Sequence, residues 1–339
     1  MRTKILNSIF VSALTLISFS LFAQETLFPI EEKGKWGYIN KSGKVAVAPL
    51  YDFAETFSEG MAAVTKGGKR GFIDASGKMV IDAKFDKTTS FSEGMASGKM
   101  NSAWSYFDKT GKVSIEPKCD YAYKFSDGLA RLQIGSKMGF IDKTGSFVVK
   151  AEYDGAYDFS EGLARVKKGN KWGYIDKTGK VIVDFQYDEC FEFMEGMANV
   201  RKGDENTGKW GFIDKTGKVV IEIKFDKVYF FSEGLALVRV GNFKSGKYGY
   251  MNKSGEIVIP PTFTGGGYFK DGMACVSTSL DPKTPAFQFI DKKGNIVVNK
   301  NFKYLTEFKN GLAKVSSADL KAGYTYGYID KTGKYVWPQ

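Results

Sequence analysis

The sequence predicts an all-β protein, an array of about nine three-stranded antiparallel repeat units. A segment of the type Trp-Gly-aromatic-Ile-Asp recurs at intervals of 34 residues early in the chain and 38 or 39 residues later. Between successive copies lie short stretches that alternate apolar and polar residues, separated by turns that contain glycine. A fixed period of this length is typical of arrays of supersecondary units, and the alternation is typical of half-buried strands.

The fifth repeat shows how one unit is built. Residues 162–168 alternate apolar and polar side chains and predict a first strand, and residues 171–176 predict a second. Residues 176–179, Asp-Lys-Thr-Gly, have the sequence of a type I turn closed by a glycine at positive φ, which is a three-residue hairpin loop. A third strand is predicted for residues 180–183. An irregular, aromatic-rich stretch is predicted for residues 185–195.

Comparison of the copies shows what the second strand packs against. The residue after the Trp-Gly position is aromatic in all nine copies: Tyr38, Phe72, Tyr106, Phe140, Tyr174, Phe212, Tyr250, Phe289 and Tyr328. The following residue is Ile, Met or Phe in every copy. Adjacent residues of a strand face opposite sides, so both faces of this strand are predicted to be covered by neighbouring units. Trp172 and its equivalents are interpreted as core residues rather than surface recognition residues, because other copies replace them by Met or Phe.

A second element, Phe-x-Glu/Asp-Gly, marks the corner that precedes the first strand of a unit. Its glycine is present in eight copies, which predicts a backbone angle that residues with a Cβ avoid. These glycines are Gly60, Gly94, Gly128, Gly162, Gly196, Gly234, Gly272 and Gly311. The acidic residue before the glycine is interpreted as structural, because Asn310 replaces it in the last copy.

The repeat leaves two arrangements of the units open. We favour an open, curved or superhelical stack. The alternative is a closed, propeller-like ring, although nine units exceed the roughly four to eight blades of most propellers. A membrane barrel is not predicted, because strands of about five residues are shorter than the roughly nine to eleven that a bilayer requires.

Three copies carry the clearest form of the motif, each followed by aromatic-Ile-Asp/Asn and a Ser/Thr-Gly turn: Lys35-Trp36-Gly37, Lys171-Trp172-Gly173 and Lys209-Trp210-Gly211. In these features residues 24–339 resemble the WG-repeat (KWG) family of bacterial proteins. Departures from the motif occur at Arg70, Trp104-Ser105, Met138 and Gln288. The resemblance implies an all-β repeat protein, often exported and commonly without an assigned activity, and it supplies no catalytic residues.

The first 23 residues have the layout of a secretory signal peptide. Arg2 and Lys4 precede an apolar run over residues 5–22, and cleavage is predicted before Gln24. The alternative is a membrane anchor, because the run is nearly long enough to span a bilayer. We favour the signal peptide, and therefore expect an exported protein (periplasmic, cell-surface or secreted) with no transmembrane segment after cleavage.

Composition limits the chemistry that the chain can perform. It contains no histidine, which excludes Ser-His-Asp and Cys-His catalysis and histidine-ligated zinc. Cys119, Cys190 and Cys275 occupy different repeat positions, so they predict buried thiols rather than a disulfide framework. No phosphate-binding or calcium-binding loop is predicted, and no cofactor. The formal net charge of +11 favours anionic partners, and for an exported protein envelope polymers are expected rather than nucleic acid.

The additional residues of the later copies all lie between the first and second strands. They fall in residues 203–208, 241–246, 279–285 and 317–323. Insertions confined to one connection project from one edge of an array, which is often the binding edge. The predicted partner-binding residues are Asp204, Glu205, Phe243, Lys244, Lys283 and Lys321. The alternative is sequence drift in a tolerant surface loop.

A lysine that follows the turn Asp or Asn in most copies predicts a second surface. If the units stack in register, Lys143, Lys177 and Lys215 lie along one edge as a possible anion-binding ladder. The alternative is a solvated turn position that discourages edge-to-edge pairing.

These patterns favour a non-enzymatic binding or scaffolding module for a protein or an anionic envelope polymer. The alternative is a carbohydrate-active hydrolase that uses carboxylates without histidine. Its candidate carboxylates recur before each irregular stretch: Asp52, Asp86, Asp120, Asp154, Asp188 and Asp226. Recurrence favours a structural role for them, because an active site needs its residues only once.

Overall fold

The computed structural model describes residues 26–279, 286–316, 320–321 and 323–338. Within these ranges the chain forms 35 strands, no helix is present, and the strands make nine antiparallel sheets. The all-β class and the count of nine units are therefore confirmed. Lys283 lies outside the described residues.

The strands follow one another in chain order, sheet by sheet. Sheets 1 to 3 contain β1 (Phe28–Glu32), β2 (Lys35–Ile39), β3 (Val45–Tyr51); β4 (Phe53–Ala54), β5 (Met61–Lys66), β6 (Lys69–Asp74), β7 (Met79–Phe85); β8 (Lys87–Thr88), β9 (Met95–Met100), β10 (Ala103–Asp108) and β11 (Val113–Ile115). Sheets 4 to 6 contain β12 (Tyr121–Ser126), β13 (Leu129–Ile134), β14 (Lys137–Ile141), β15 (Phe147–Tyr153); β16 (Gly155–Ala156), β17 (Leu163–Lys168), β18 (Lys171–Asp176), β19 (Val181–Tyr187); β20 (Glu189–Cys190), β21 (Met197–Lys202), β22 (Lys209–Asp214) and β23 (Val219–Phe225). Sheets 7 to 9 contain β24 (Lys227–Ser232), β25 (Leu235–Val240), β26 (Lys247–Asn252), β27 (Ile257–Phe263); β28 (Gly265–Gly266), β29 (Met273–Ser277), β30 (Phe287–Asp291), β31 (Ile296–Phe302); β32 (Tyr304–Leu305), β33 (Ala313–Ser316), β34 (Gly327–Ile329) and β35 (Tyr335–Trp337).

Sheets 2 to 9 have four strands, one more than the sequence predicts. The third strand of sheet 5, β19, extends to Tyr187 instead of ending at residue 183, and the chain then pairs as β20 with the next sheet. Tyr174 pairs with Val183 and Trp172 with Tyr187, so the residues between Val183 and Tyr187 form a bulge. The bulge interrupts the alternation of side chains, and for that reason the pattern gave no sign of a longer strand.

The glycine of the Trp-Gly pair lies against this bulge. A Cβ at Gly173 would sit 2.5 Å from the carbonyl oxygen of Val183, closer than nonbonded atoms approach. The equivalent glycines at 37, 71, 139, 211, 249 and 327 meet the backbone of their third strand in the same way. The motif therefore marks a place where two backbones come too close for a side chain.

The corner glycines have positive φ, as predicted, and so do the residues before them. In sheet 5, Glu161 has a φ of 52° and Gly162 a φ of 90°. The Glu161 carboxylate accepts a hydrogen bond of 3.0 Å from the N–H of Gly196 at the next corner, and Lys215 Nζ lies 3.1 Å from it. The same link joins Glu59 to Gly94, Glu93 to Gly128, Asp127 to Gly162, Glu195 to Gly234, Glu233 to Gly272 and Asp271 to Gly311.

The nine sheets close into a ring, the second of the two predicted arrangements, and the open stack that we favoured is not observed. Tyr328 Oη in sheet 9 donates a hydrogen bond of 2.9 Å to the carbonyl of Pro29 in sheet 1. Apolar residues of both sheets form one core cluster there: Phe28, Ile30, Ile39, Leu312, Tyr326, Tyr328 and Trp337. An open stack would expose an apolar face at each end, and ring closure buries both.

The turn aspartates make the stability of the ring depend on pH in the acidic range. The Asp176 carboxylate accepts hydrogen bonds from the Thr178 hydroxyl (2.6 Å), the Thr178 N–H (2.9 Å) and the Lys180 N–H (3.0 Å). These bonds, the hydroxyl first, lower the pKa of Asp176 below its ordinary 3.8. The pKa is lowered in the same way in Asp74, Asp108, Asp142 and Asp214.

We expect the midpoint of thermal unfolding to be nearly constant between about pH 5 and pH 7 and to fall below about pH 4. A lowered folded-state pKa stabilises the protein above the unfolded value, and this contribution is lost as pH falls through the folded value. The chain has no histidine to titrate in the neutral range. Thermal unfolding followed by circular dichroism from pH 2 to pH 7 measures this. A midpoint that stays constant down to pH 2 would contradict it.

Candidate ligand-binding groove

Two of the enlarged connections, residues 203–208 and 241–246, are the same loop with different tips. Each begins and ends with glycine, and the N–H of the last glycine donates to the carbonyl of the second residue, at 3.0 Å for Asp204 and 2.8 Å for Asn242. The two side chains then accept hydrogen bonds from the N–H groups of the loop tip. Each loop is therefore held by its own backbone and presents two tip residues.

Asp204 is part of this scaffold. Its carboxylate accepts from the Thr207 hydroxyl, the Thr207 N–H (2.9 Å) and the Asn206 N–H (2.7 Å). These bonds lower its pKa to about 2. Of the predicted partner-binding residues, Asp204 thus shapes a loop, whereas Glu205, Phe243 and Lys244 are presented at the two tips.

A groove of about 580 Å³ lies between sheets 6 and 7, beneath the two loops. Sheet 6 and its loop contribute Glu189, Phe191, Arg201, Glu205, Asn206 and Trp210. The residues from the sheet 7 side are Asp226, Lys227, Tyr229, Arg239, Phe243 and Tyr248. The structure therefore brings together two of the predicted residues, Glu205 and Phe243. It surrounds them with arginine, lysine and aromatic side chains that the sequence did not single out.

Two arginines occupy equivalent strand positions on either side of the groove. Arg201 is paired with Trp210 across β21 and β22, and Arg239 with Tyr248 across β25 and β26. The Nε atom of each arginine is buried and has no hydrogen-bond partner among the described residues. A buried donor left without a partner costs about 1–3 kcal/mol, so a ligand that supplied an acceptor to either Nε would recover this cost.

A lysine completes the positive side of the groove. Lys227 Nζ lies 3.8 Å from the ring centre of Trp210, in a cation–π contact. Burial, and after it the nearby charge of Arg201, lowers the pKa of Lys227 to about 8. The amine is still mostly protonated at neutral pH, so three cationic groups meet in one space.

The carboxylates of the groove are mostly engaged. Asp226 accepts from Lys209 Nζ at 2.6 Å and from the N–H of Gly241 at 2.7 Å. Glu189 Oε1 lies 3.4 Å from Arg165 Nη1. Glu205 is exposed on its loop. Three cations and three carboxylates therefore line the groove, and two of those carboxylates also contact cations outside the lining, which leaves one exposed carboxylate at the rim.

An exposed aromatic ring stands at the same rim. Phe243 is 85% exposed, the largest value among the exposed hydrophobic residues of the described chain. Its ring centre lies 5.6 Å from the guanidinium carbon of Arg239. Tyr229 and Tyr248 are half-buried below it and line the groove. Aromatic and arginine side chains in one concave site are typical of recognition surfaces.

The other predicted site residues lie elsewhere. Lys321 is exposed in the connection of sheet 9 and does not line the groove. Of the lysines of the predicted ladder, Lys143 Nζ lies 3.3 Å from Glu93 and Lys215 Nζ lies 3.1 Å from Glu161, so the charges of both lysines are balanced locally. Lys177 is exposed in the same turn position.

The recurring aspartates hold the hairpins together. Asp188, for example, accepts from Lys171 Nζ at 2.6 Å and from the N–H of Gly203 at 2.8 Å, and the lysine contact lowers its pKa. Equivalent ion pairs join Lys35 to Asp52, Lys69 to Asp86, Lys137 to Asp154 and Lys209 to Asp226. A general acid of a glycosidase needs a raised pKa, which is the opposite shift.

The three cysteines form no disulfide, and the described residues form no cluster of metal ligands. Cys119, Cys190 and Cys275 are free thiols, and burial raises the pKa of Cys190 to about 12. No group of three or more Cys, Asp or Glu side chains is placed to hold a metal ion within the described ranges. These ranges also contain no helix that is long and apolar enough to cross a membrane.

The sequence did contain a signal for the missed arginines. Arg201 and Arg239 stand at a first-strand position where the other units carry Thr65, Lys99, Gln133, Lys167 and Ser277. Two arginines in successive units, beside the two enlarged loops, are a local departure from the repeat. A search of equivalent positions for residues that differ between units, rather than for residues that recur, identifies these two arginines.

Solved structures that resemble this chain do so at low sequence identity. Dipeptidyl peptidase 4 of Porphyromonas gingivalis is 10% identical with a TM-score of 0.52, and the match covers 84% of this chain and 58% of that one. Hsv2p of Kluyveromyces lactis is 8% identical with a TM-score of 0.41, over 69% and 89% of the two chains. The tricorn protease is 11% identical with a TM-score of 0.34, over 82% and 34%.

The chain thus spans about a third of the tricorn protease and 58% of the peptidase. At such identities the first likeness shows a β-propeller fold and nothing about activity. No curated protein sequence matches the chain.

A family model described as the WG-containing repeat matches eight consecutive stretches. They are residues 36–69, 71–102, 104–137, 138–172, 172–205, 210–242, 248–278 and 289–319. The matched stretches follow the repeat units seen in the ring and cover most of the sequence. The chain therefore belongs to the family of WG-containing repeat proteins.

Proposed function

We propose that the protein is a non-enzymatic binding module that holds an anionic ligand in the groove between sheets 6 and 7. The observation that carries the proposal is the meeting of Arg201, Lys227 and Arg239 in one concave site. Two of these cations have a buried Nε without a partner in the described chain. A bound anion would supply the missing acceptors, and charge-assisted hydrogen bonds of this kind are the strong ones.

A binding role without catalysis is supported by the state of the acidic side chains. Asp226 and Glu189 are paired with cations, which leaves Glu205 as the exposed carboxylate of the groove. A carboxylate-only hydrolase would need two acids of different pKa facing one substrate bond. We also propose that the protein is exported and acts in the bacterial envelope or outside the cell, on the basis of the signal-like layout of residues 1–23.

The double variant Arg201→Gln, Arg239→Gln is expected to lose about 100-fold or more in affinity for an anionic polymer. Each lost hydrogen bond to a charged group costs about 1.5–3 kcal/mol, and about 1.4 kcal/mol corresponds to tenfold. Titrations with polygalacturonate, polyglutamate and polyphosphate at low and high salt measure this. Binding by the unaltered protein should weaken as salt is raised.

Lys167→Gln is the matched control. Lys167 occupies the same strand position in sheet 5, outside the groove, where its Nζ lies 5.7 Å from the ring of Trp172. This variant removes a positive charge from the same column and should retain its affinity within about twofold. Equal losses in the control and the double variant would assign binding to overall charge. Absence of binding to all three polymers, or binding that salt does not weaken, would also contradict the proposal.

A further inference from the structure

We infer that the ligand of this groove is a polysaccharide that carries carboxylate groups. The inference rests on the proposed function and names the chemical class of its ligand. Three properties of the groove carry it: an exposed phenyl ring above two half-buried tyrosines, two arginines whose buried Nε has no hydrogen-bond partner in the described chain, and a rim that offers both hydrogen-bond donors and acceptors.

The aromatic faces fit sugar rings. Phe243 is 85% exposed at the rim, with Tyr229 and Tyr248 half-buried below it. The C–H faces of a pyranose ring pack flat against an aromatic ring, and contact with a ligand would remove the Phe243 ring from water. An exposed phenyl group on a loop that is braced by its own hydrogen bonds is already placed for such a contact.

The cations fit separated carboxylates. Arg201 and Arg239 lie on different sheets and each has a buried Nε without a partner in the described chain. A planar guanidinium pairs with a planar carboxylate through two parallel hydrogen bonds. A uronic acid polymer bears one carboxylate on each sugar, so two of its groups can meet two guanidinium groups on opposite walls.

The rim disfavours ligands of higher charge density. Glu205 is exposed at the tip of one loop, beside Asn206, and both line the groove. A carboxylate accepts hydrogen bonds from hydroxyl groups, and an amide both accepts and donates them; a sugar provides hydroxyl groups on every ring. Polyphosphate and polyglutamate have no hydroxyl groups to offer Glu205 and would bring further negative charge against it.

The volume agrees with a short stretch of such a polymer. The groove measures about 580 Å³, within the roughly 300–1,000 Å³ of small-molecule sites. Its walls come from two different sheets, so it follows the boundary between them.

The test compares three polymers that differ in one property at a time. Polygalacturonate has sugar rings and carboxylates, its fully methyl-esterified form has the rings without the charge, and polyglutamate has the charge without the rings. We expect the full chain to bind polygalacturonate at least about tenfold more tightly than either of the others. Isothermal titration at one fixed low salt concentration provides the three affinities.

Two single variants measure how much the Phe243 ring contributes to binding. Phe243→Ala should weaken binding of polygalacturonate about tenfold and leave binding of polyglutamate within about twofold. Leu50→Ala is the control, because Leu50 is 67% exposed in sheet 1 and its removal takes away apolar surface outside the groove. Both side chains are exposed, so neither variant is expected to alter folding.

The outcomes distinguish the inference from the proposed function. Binding of polyglutamate as tight as that of polygalacturonate, or no effect of Phe243→Ala, would overturn the sugar assignment and leave an anion-binding groove. Equal binding of the methyl ester would overturn the role of the carboxylates. Binding to none of the anionic polymers would remove both the inference and the proposed function.

Discussion

Replacing Trp172 by alanine is expected to lower the free energy of unfolding by about 3–5 kcal/mol, the usual cost of deleting a buried aromatic side chain. Trp172 is 8% exposed and belongs to a core cluster with Tyr187, Cys190 and Phe193. Because this cluster joins β18 and β19 of sheet 5 to sheet 6, the cavity would lie between two blades. Chemical denaturation followed by fluorescence of the remaining tryptophans measures the loss.

Phe147→Ala is the matched control for this substitution. Phe147 is also aromatic, but it is 46% exposed at the start of β15. Its removal should change stability by about 0.5 kcal/mol or less, as for most surface substitutions. An unfolding curve of Trp172→Ala that coincides with that of the unaltered protein would show that the tryptophan column is not part of the core.

Trp337→Ala is expected to lower the free energy of unfolding by about 3–5 kcal/mol and, in addition, to promote self-association. Trp337 is 4% exposed at the junction of sheets 9 and 1, and its ring centre lies 5.0 Å from Tyr324 and 5.7 Å from Tyr326. A weakened junction opens the ring more often and exposes the apolar faces of both sheets. Such faces associate with other copies.

Light scattering at several protein concentrations in mild denaturant measures this second effect. Trp172→Ala serves as the control, because it removes the same side chain from a junction inside the array. It should lose stability without a rise in apparent mass. If both variants associate equally, the junction of sheets 1 and 9 is no different from the others, and the prediction fails.

The repeat revealed much of the fold because its strongest signals are local. The Asp176-to-Gly179 turn and the positive φ of Gly162 depend on neighbouring residues, and both agree with the sequence prediction. The additional strand was missed because in most sheets it has only two residues, as in β20, too few to show an alternation. Ring closure was predicted only as the alternative arrangement, because it depends on accumulated curvature and on contacts such as Tyr328 to Pro29, 299 residues apart.

Only the loops at the rim of the candidate groove were identified from the sequence. Insertions identified the loops, and Glu205 and Phe243 indeed line the groove that the loops cover. Lys227 was missed because it begins β24 at a position with no single residue type across the copies. Asp204 was predicted as a contact residue because it lies in an insertion, whereas its carboxylate accepts the hydrogen bonds that fix the loop. Sequence shows where a loop grows, but the partner of each side chain follows from the folded backbone.

The corner carboxylates give the ring a direction. Each accepts from the N–H of the following corner, as Glu161 does from Gly196, so the seven junctions from sheets 2 and 3 to sheets 8 and 9 are linked head to tail by the same bonds. None of these bonds involves the loops over residues 203–208 and 241–246. The bonds that join neighbouring units and the loops that line the groove thus belong to separate parts of the unit. A blade could exchange its loop and acquire a new ligand while its neighbours continue to hold it unchanged.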